Sequence, residues 1–469
     1  MDSFQPALLQ TLESLRGAHL QAPFDYADRV RLLRKLRRAV KARSEAFAEA
    51  ISRDFGRRSR HETLIAEVMM VLHDIDHHLR HLRRWMRPRP VAADGLFQPA
   101  RCEIRPQALG VVGVISPWNY PLQLALMPLT AALAAGNRVM LKPSELTPRT
   151  ADLLADLVQE CFKPNEVTIS LGGPELAAAF SALPLDHLVF TGSTAIGRRV
   201  MEAAARNLTP VTLELGGKSP TLVMADFPQA EAVSRIVSGK FLNAGQTCIA
   251  PDYVLVPHDR REGFVRALQQ EIESRYPSLT QTPDYTTIVS DRHHARLQSL
   301  VDEAEAKGAR VFRVNPSGES LPASSRIFPP TLVLDPPADC ALMREEIFGP
   351  VLPILGYTSL GEALTTINQH ERPLAMYLFD RNRERVEKIL QSTIAGGVAV
   401  NDTLFHIAQS RLPFGGVGPS GMGHYHGDWG FNSLSKLKPV FHQARWHTMG
   451  LLNPPYRRLA DWLGSLLTR

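Results

Sequence analysis

Apolar residues change their spacing near position 90. Before it, Leu8, Leu9, Leu12 and Leu15 recur at helical intervals, and residues 26–53 repeat the pattern among Arg and Ala, so residues 5–88 are predicted as helices until Pro88 and Pro90 end them. After it, short apolar runs alternate with helical stretches. A short polar strand over 102–105 is followed by 109–115, a nearly unbroken apolar run typical of a strand buried on both faces. A helix over 122–135 stops at Gly136-Asn137, and a strand over 138–142 stops at Pro143. A helix starting near Ser144 or Thr147 leads to strands at 167–171 and 187–190. The alternation predicts an α/β fold with a doubly wound, Rossmann-like parallel sheet. Strands at 221–224 and 253–256, with helices over 228–243, 258–275 and 291–307, predict a second α/β unit. Residues 314–326 read as a surface loop, 396–402 as a strand ending in polar residues and 431–441 as an exposed strand suited to pairing with another chain. In the tail, Leu459, Trp462, Leu463, Leu466 and Leu467 follow an amphipathic helical spacing.

Composition narrows the class. The chain of 469 residues is too long for one ordinary core, and 44% hydrophobic with 21% charged residues is the balance of a globular protein. The net charge of +6 is spread along the chain, without the clustered basic stripe of nucleic-acid recognition. Cys102, Cys161, Cys248 and Cys340 form no C-x-x-C pair and no zinc spacing, and their use suits a reducing cytosol. The first twenty residues show no signal peptide, and the best apolar stretch, 124–135, is far below the roughly 20 residues of a membrane span. His73, Asp74, His77, His78 and His81 crowd one helix. His73 and His77 could share a metal, but the composition reads as a solvated charged face and no metal is expected.

Several segments carry candidate chemistry. Residues 241–248 end a small and polar run in Cys248, with Gly245 allowing close backbone approach. A thiol there is either a nucleophile or a small buried hydrophobe. Residues 191–197 place Gly192, Ser193 and Gly197 between a strand and a helix, where free N–H groups favour an anion. The G-x-x-x-x-G spacing is one glycine short of the usual dinucleotide fingerprint and fits an ordinary turn as well. Glu214 stands among apolar residues before Gly216-Gly217, either as a proton-transfer group of raised pKa or as a tie for that turn. Residues 344–350 form a carboxylate-rich turn and 413–421 a glycine-dense loop.

Together these segments resemble the aldehyde dehydrogenases over nearly the whole chain. The resemblance rests on Pro117-Trp118-Asn119, Lys142-Pro-Ser-Glu145, Phe190-Thr-Gly-Ser193, Leu213-Glu-Leu-Gly-Gly217, Gly245-Gln-Thr-Cys248, Glu345-Glu-Ile-Phe-Gly-Pro350 and Pro413-Phe-Gly-Gly416, in the family's order. Within the family the chain is most similar to the class 3 branch. His406, Gln409 and His424-Tyr-His426 look especially like the bacterial coniferyl aldehyde dehydrogenases. The resemblance implies that Cys248 attacks the aldehyde, that Asn119 and the Cys248 N–H steady the oxyanion, and that Glu214 activates the water that releases the acid. It implies an NAD site of Trp118, Lys142, Glu145, Gly192, Ser193, Gly197, Glu346 and Phe348, with NADP as the alternative. Glu145 would oppose a ribose 2′-phosphate. Tyr120, Phe405 and His406 would line the aldehyde funnel.

The expected organisation is a cofactor domain (1–88 and 106–217), a catalytic domain (218–405), a small β oligomerisation element (89–105 and 425–445) and an amphipathic tail (450–469). The expected activity is NAD(P)-dependent oxidation of an aromatic or longer-chain aldehyde by a cytoplasmic homodimer. Coniferaldehyde is the reference substrate, and a fatty aldehyde dehydrogenase and a non-catalytic NAD-binding protein are the alternatives. A CoA-acylating relative is disfavoured by Glu214. The tail would act as a substrate lid, a subunit contact or a weak membrane-surface contact.

Overall fold

Three runs, Val111–Ile115, Arg138–Lys142 and His187–Thr191, are buried at every position. In the computed structural model, which describes residues 4–447, 449–456 and 458–467, they form the centre of a six-stranded sheet. Its order is Gly421–Met422, Val211–Glu214, His187–Thr191, Val111–Ile115, Arg138–Lys142, Val167–Ile169, all parallel except the first pair. The chain builds outward from Val111–Ile115 in one direction and then returns to its other side with His187–Thr191. The sheet is therefore doubly wound, with its switch point between those two strands. Ser116, Lys142, Gly192 and Glu214 all lie at the carboxyl ends of these strands.

A second sheet of seven strands runs Arg310–Arg313, Thr331–Leu334, Val351–Tyr357, Tyr253–Pro257, Pro220–Val223, Ala375–Phe379, Gly397–Val400, with only the first pair antiparallel. Arg89–Val91, Arg101–Ala108 and Ser435–His442 form a third, antiparallel sheet. Helix Gln123–Ala135 is buried at all its residues and lies between the N-terminal helices and the first sheet. Leu126, Leu129 and Leu133 are wholly covered there, each contributing about 1.5–3 kcal/mol of burial. Gly136 ends it in the left-handed region at φ 93°.

Several local expectations are corrected. The strand expected at 102–105 extends over Arg101–Ala108 because all eight residues pair with Ser435–His442. Residues 431–433 are not strand but the end of helix Gly427–Ser433, held where the Phe431 ring meets Trp85 at 5.7 Å. The face carrying Asp74, His77 and His78 is not solvated. Helix Gly427–Ser433 covers it, and His78 stands edge-on to Trp85 at 5.3 Å. The tail forms helix Arg458–Leu467 with Trp462 exposed; the side chains of Leu459, Leu463, Leu466 and Leu467, on which its stripe depends, lie outside the described residues. No described helix is long and apolar enough to cross a membrane.

Candidate active site

Cys248 follows a loop with unusual backbone. Asn243, Ala244 and Gly245 are all left-handed, with φ of 53°, 51° and 72°. For the two non-glycine residues this costs about 1–2 kcal/mol each. At Gly245 a Cβ would meet the Gly349 carbonyl oxygen at 2.3 Å, so only glycine fits. Hydrogen bonds offset the strain. The Gln246 side chain donates to the Asn243 and Thr287 carbonyls (3.0 and 3.1 Å) and accepts from the Val289 N–H (3.0 Å). The loop thereby presents a partly exposed Cys248. Burial pushes its thiol up, and the charges of Glu346 and Glu214 push it further, while the N–H groups of Cys248 and Ile249 oppose them.

The turn after Val111–Ile115 forms the facing wall. The Asn119 amide donates to the Gln246 carbonyl at 3.2 Å, and the Asn243 amide donates back to the Asn119 carbonyl at 3.0 Å. An amide nitrogen carries two hydrogens, so Asn119 keeps one for an oxyanion. Tyr120 is buried, its hydroxyl 2.8 Å from Thr247 Oγ1. Glu214 ends strand Val211–Glu214 with neither carboxyl oxygen partnered, and burial raises it well above the usual carboxylate range. Phe405 is 64% exposed, whereas the His406 ring packs inward on Phe414 and Tyr377. Burial lowers His406 to about 4, and both its ring nitrogens are unpartnered.

The carboxyl-end crevice of the first sheet fits a dinucleotide. Ser116 Oγ and Thr191 Oγ1, beside the switch point, are buried without a partner. Ser193 stands before helix Thr194–Ala205 with its side chain uncommitted to capping, leaving the first-turn N–H groups for an anion. A Cβ at Gly197 would meet Leu215 at 2.6 Å, so this glycine allows the close helix–sheet packing that the third fingerprint glycine provides elsewhere. Buried Lys142 donates to Glu145 at 2.8 Å, offering a cation and a carboxylate at one strand end. Trp118 touches Phe348, His293 and Phe55 at ring separations of 5.4, 5.0 and 6.0 Å. The Glu346 carboxylate lies over Gly216, where a Cβ would meet it at 2.3 Å. Its Oε1 is unpartnered, and burial, then Asp252, raises it to about 8. Lys218 fixes that turn by bonding Asp252 and the Leu342 and Glu345 carbonyls. Among the described residues no group of three or more His, Cys, Asp or Glu could hold a metal ion.

Sequence reasoning missed a set of residues around the Cys248 loop. Arg58, Glu62 and Glu67 are joined to it and to the Asn119 turn. Tyr425 is fully buried with its hydroxyl unpartnered, raised by burial and then by the charges of Glu214 and Cys248. One signal was available: Glu67 interrupts the apolar run 64–71, where a carboxylate needs a buried partner.

The model of the aldehyde dehydrogenase family matches residues 18–440. The chain is 49% identical to a probable coniferyl aldehyde dehydrogenase of Pseudomonas aeruginosa, over 94% of this chain and 92% of that protein. It is 45% identical to a coniferyl aldehyde dehydrogenase of a Pseudomonas species, over 97% and 95%. The substrate-bound structure of Staphylococcus aureus AldH superposes with a TM-score of 0.93 at 36% identity, covering 98% of this chain and 99% of that one.

Proposed function

The chain belongs to the aldehyde dehydrogenase family and is an NAD(P)-dependent oxidiser of aldehydes; from this premise we propose that Cys248 is its nucleophile, Asn119 its oxyanion donor and Glu214 its hydrolytic base. The observation that carries the reading is the Cys248 loop, held in strained backbone between the Asn119 amide and the unpartnered Glu214 carboxyl. The Cys248 sulfur, as thiolate, adds to the aldehyde carbon, and the carbonyl oxygen becomes an oxyanion held by the free Asn119 N–H and the Cys248 N–H. A nicotinamide held on the cofactor side would supply the hydride acceptor; as the hydride leaves this carbon, the oxyanion collapses to a thioester on Cys248. Glu214, once ionised, takes a proton from water as the water attacks the thioester. The Cys248 thiolate leaves and the carboxylic acid is released.

Trp118, Lys142, Glu145, Gly192, Ser193, Gly197, Glu346 and Phe348 form the cofactor side in this reading. Lys142 and Glu145 would hold the adenosine ribose, where the Glu145 charge would favour NAD over NADP, Ser193 would hold the pyrophosphate and Glu346 the nicotinamide ribose. We assign 1–88 and 106–217 to the cofactor unit, 218–405 to the catalytic unit and 89–105 with 425–445, which carry helix Gly427–Ser433 besides their strands, to the subunit contact of a cytoplasmic homodimer. The outer edge of Ser435–His442 has no partner strand among the described residues. The substrate is an aromatic aldehyde of the coniferaldehyde type. The names of the two Pseudomonas relatives and the exposed aromatic ring of Phe405 support this.

The test is reduced-cofactor formation by wild type and Cys248→Ala with coniferaldehyde, benzaldehyde, hexanal and a long-chain aldehyde, each with NAD and NADP. Wild type should favour the aryl aldehydes and NAD, and Cys248→Ala should bind NAD but fall to background. Rates that climb with chain length would replace the aryl reading with a fatty one. Turnover by Cys248→Ala would remove the nucleophile assignment.

A further inference from the structure

Residues 58–67 bring two carboxylates, Glu62 and Glu67, and the buried Arg58 guanidinium against the Cys248 loop and the Asn119 turn. Residues 64–69 form a π-helical turn between helices Arg60–Thr63 and Met70–Trp85. In an α-helix, residues five apart point about 140° away from each other. The i→i+5 bonding of a π turn brings them to one face. Glu67 lies within this turn and Glu62 just before it, in helix Arg60–Thr63. Glu62 Oε1 accepts from the Asn243 N–H at 3.1 Å, where the left-handed stretch begins, and its Oε2 accepts from Thr286 Oγ1 at 2.7 Å. Glu67 Oε2 accepts from the Leu122 and Gln123 N–H groups at 2.7 and 3.1 Å, just after Asn119 and Tyr120. Arg58 closes the arrangement. Its Nη1 donates to Glu67 Oε1 at 2.6 Å and to the Asn119 carbonyl at 3.2 Å, and its guanidinium lies over the Tyr120 ring at 4.8 Å. The side chains of Arg58 and Glu67 are wholly buried.

We propose that residues 58–67 are a positioning clamp: Glu62 holds the Cys248 loop, Glu67 and Arg58 hold the Asn119 turn, and together they fix the distance between nucleophile and oxyanion donor. The inference rests on the roles proposed above for Cys248 and Asn119. Each of the three binds backbone, the Thr286 hydroxyl or another member of the clamp. None of these bonds reaches a residue assigned above to the cofactor, so the clamp should govern the chemical step and leave cofactor affinity unchanged.

The test compares Glu62→Ala, Glu62→Gln, Arg58→Met and Arg58→Lys with wild type and Cys248→Ala. The readouts are kcat, KM, cofactor affinity by fluorescence, thermal midpoint and the rate at which iodoacetamide alkylates Cys248, which reports the loop's geometry without turnover. Glu62→Ala and Arg58→Met should lower kcat about 10²-fold, the cost of misplacing reacting groups by about 1 Å, and alter the alkylation rate, with cofactor affinity unchanged. Glu62→Gln should restore most of kcat, because its amide oxygen still accepts from Asn243 and its nitrogen can donate to Thr286. Arg58→Lys, which can reach one acceptor but not both, should fall between. Where the larger changes prevent folding, Glu62→Gln and Arg58→Lys decide alone. Near-full kcat in Glu62→Gln with reduced kcat in Arg58→Lys supports the clamp, and unchanged kcat in Arg58→Lys overturns it. Wild-type kcat in folded Glu62→Ala, or cofactor affinity falling in step with kcat, also overturns it. An active Cys248→Ala would instead refute the nucleophile assignment on which the clamp depends.

Discussion

Four carboxyl groups stand around the Cys248 loop, and they form two contrasting pairs. Burial pushes all four upward. Glu62 and Glu67 have every oxygen bonded to backbone, hydroxyl or guanidinium. Glu214 has neither oxygen bonded, and Glu346 leaves one free. Each pair holds one buried group, Glu67 or Glu214, and one half-buried group, Glu62 or Glu346, so depth does not divide them. A carboxylate whose acceptors are all used is a strut, and removing it leaves orphaned donors behind. A carboxyl with none used is available to take a proton or meet a ligand. The balance of hydrogen bonds, not depth, separates the two pairs.

The largest expected effect tests the free pair. Glu214→Gln should slow acid release by about 10²–10⁴-fold while a burst of reduced cofactor persists under single-turnover mixing. Loss of the burst would place Glu214 before hydride transfer and break the contrast as drawn. Stability sharpens it next. Glu67→Ala strands Arg58 and two backbone N–H groups and should cost about 3–5 kcal/mol in denaturant unfolding. Glu214→Gln removes no existing bond and should stay within about 1 kcal/mol of wild type. Equal losses would erase the distinction between strut and free group. The smallest effect concerns Glu346. Its carboxyl, raised to about 8, is mostly neutral at neutral pH. As pH rises through that value it becomes a carboxylate and a stronger acceptor for ribose hydroxyls. The KM for NAD should therefore fall severalfold between about pH 7 and about pH 9, and Glu346→Gln should flatten the profile.

The cofactor crevice could be read from the sequence because each part of it is local. Residues 111–115, 138–142 and 187–191 are short apolar runs, and Ser116, Lys142 and Gly192 follow from being at their ends or one step beyond. The clamp could not be read in this way. Arg58 and Glu62 sit in a charged helical stretch that resembles a solvent face, and their partners are Asn119 and Asn243, far along the chain. The π turn has no periodicity of its own to betray it. The same reason explains the misreading of Asp74, His77 and His78. Their covering helix, Gly427–Ser433, is contributed from the far end of the chain. The helical start of that segment was also hidden, since residues 427–433 carry glycine and aromatic residues that suit a strand equally well.

The bond from Glu62 to the Asn243 N–H spans 181 positions of sequence. During synthesis the first helices leave the ribosome long before the cysteine loop exists. Only part of what holds the loop before Cys248 is local: Asn243 and Gln246 bond each other, while Glu62, Thr287 and Val289 reach it from far along the chain. The nucleophile and its oxyanion donor are therefore set against each other only when distant parts of the polypeptide have met.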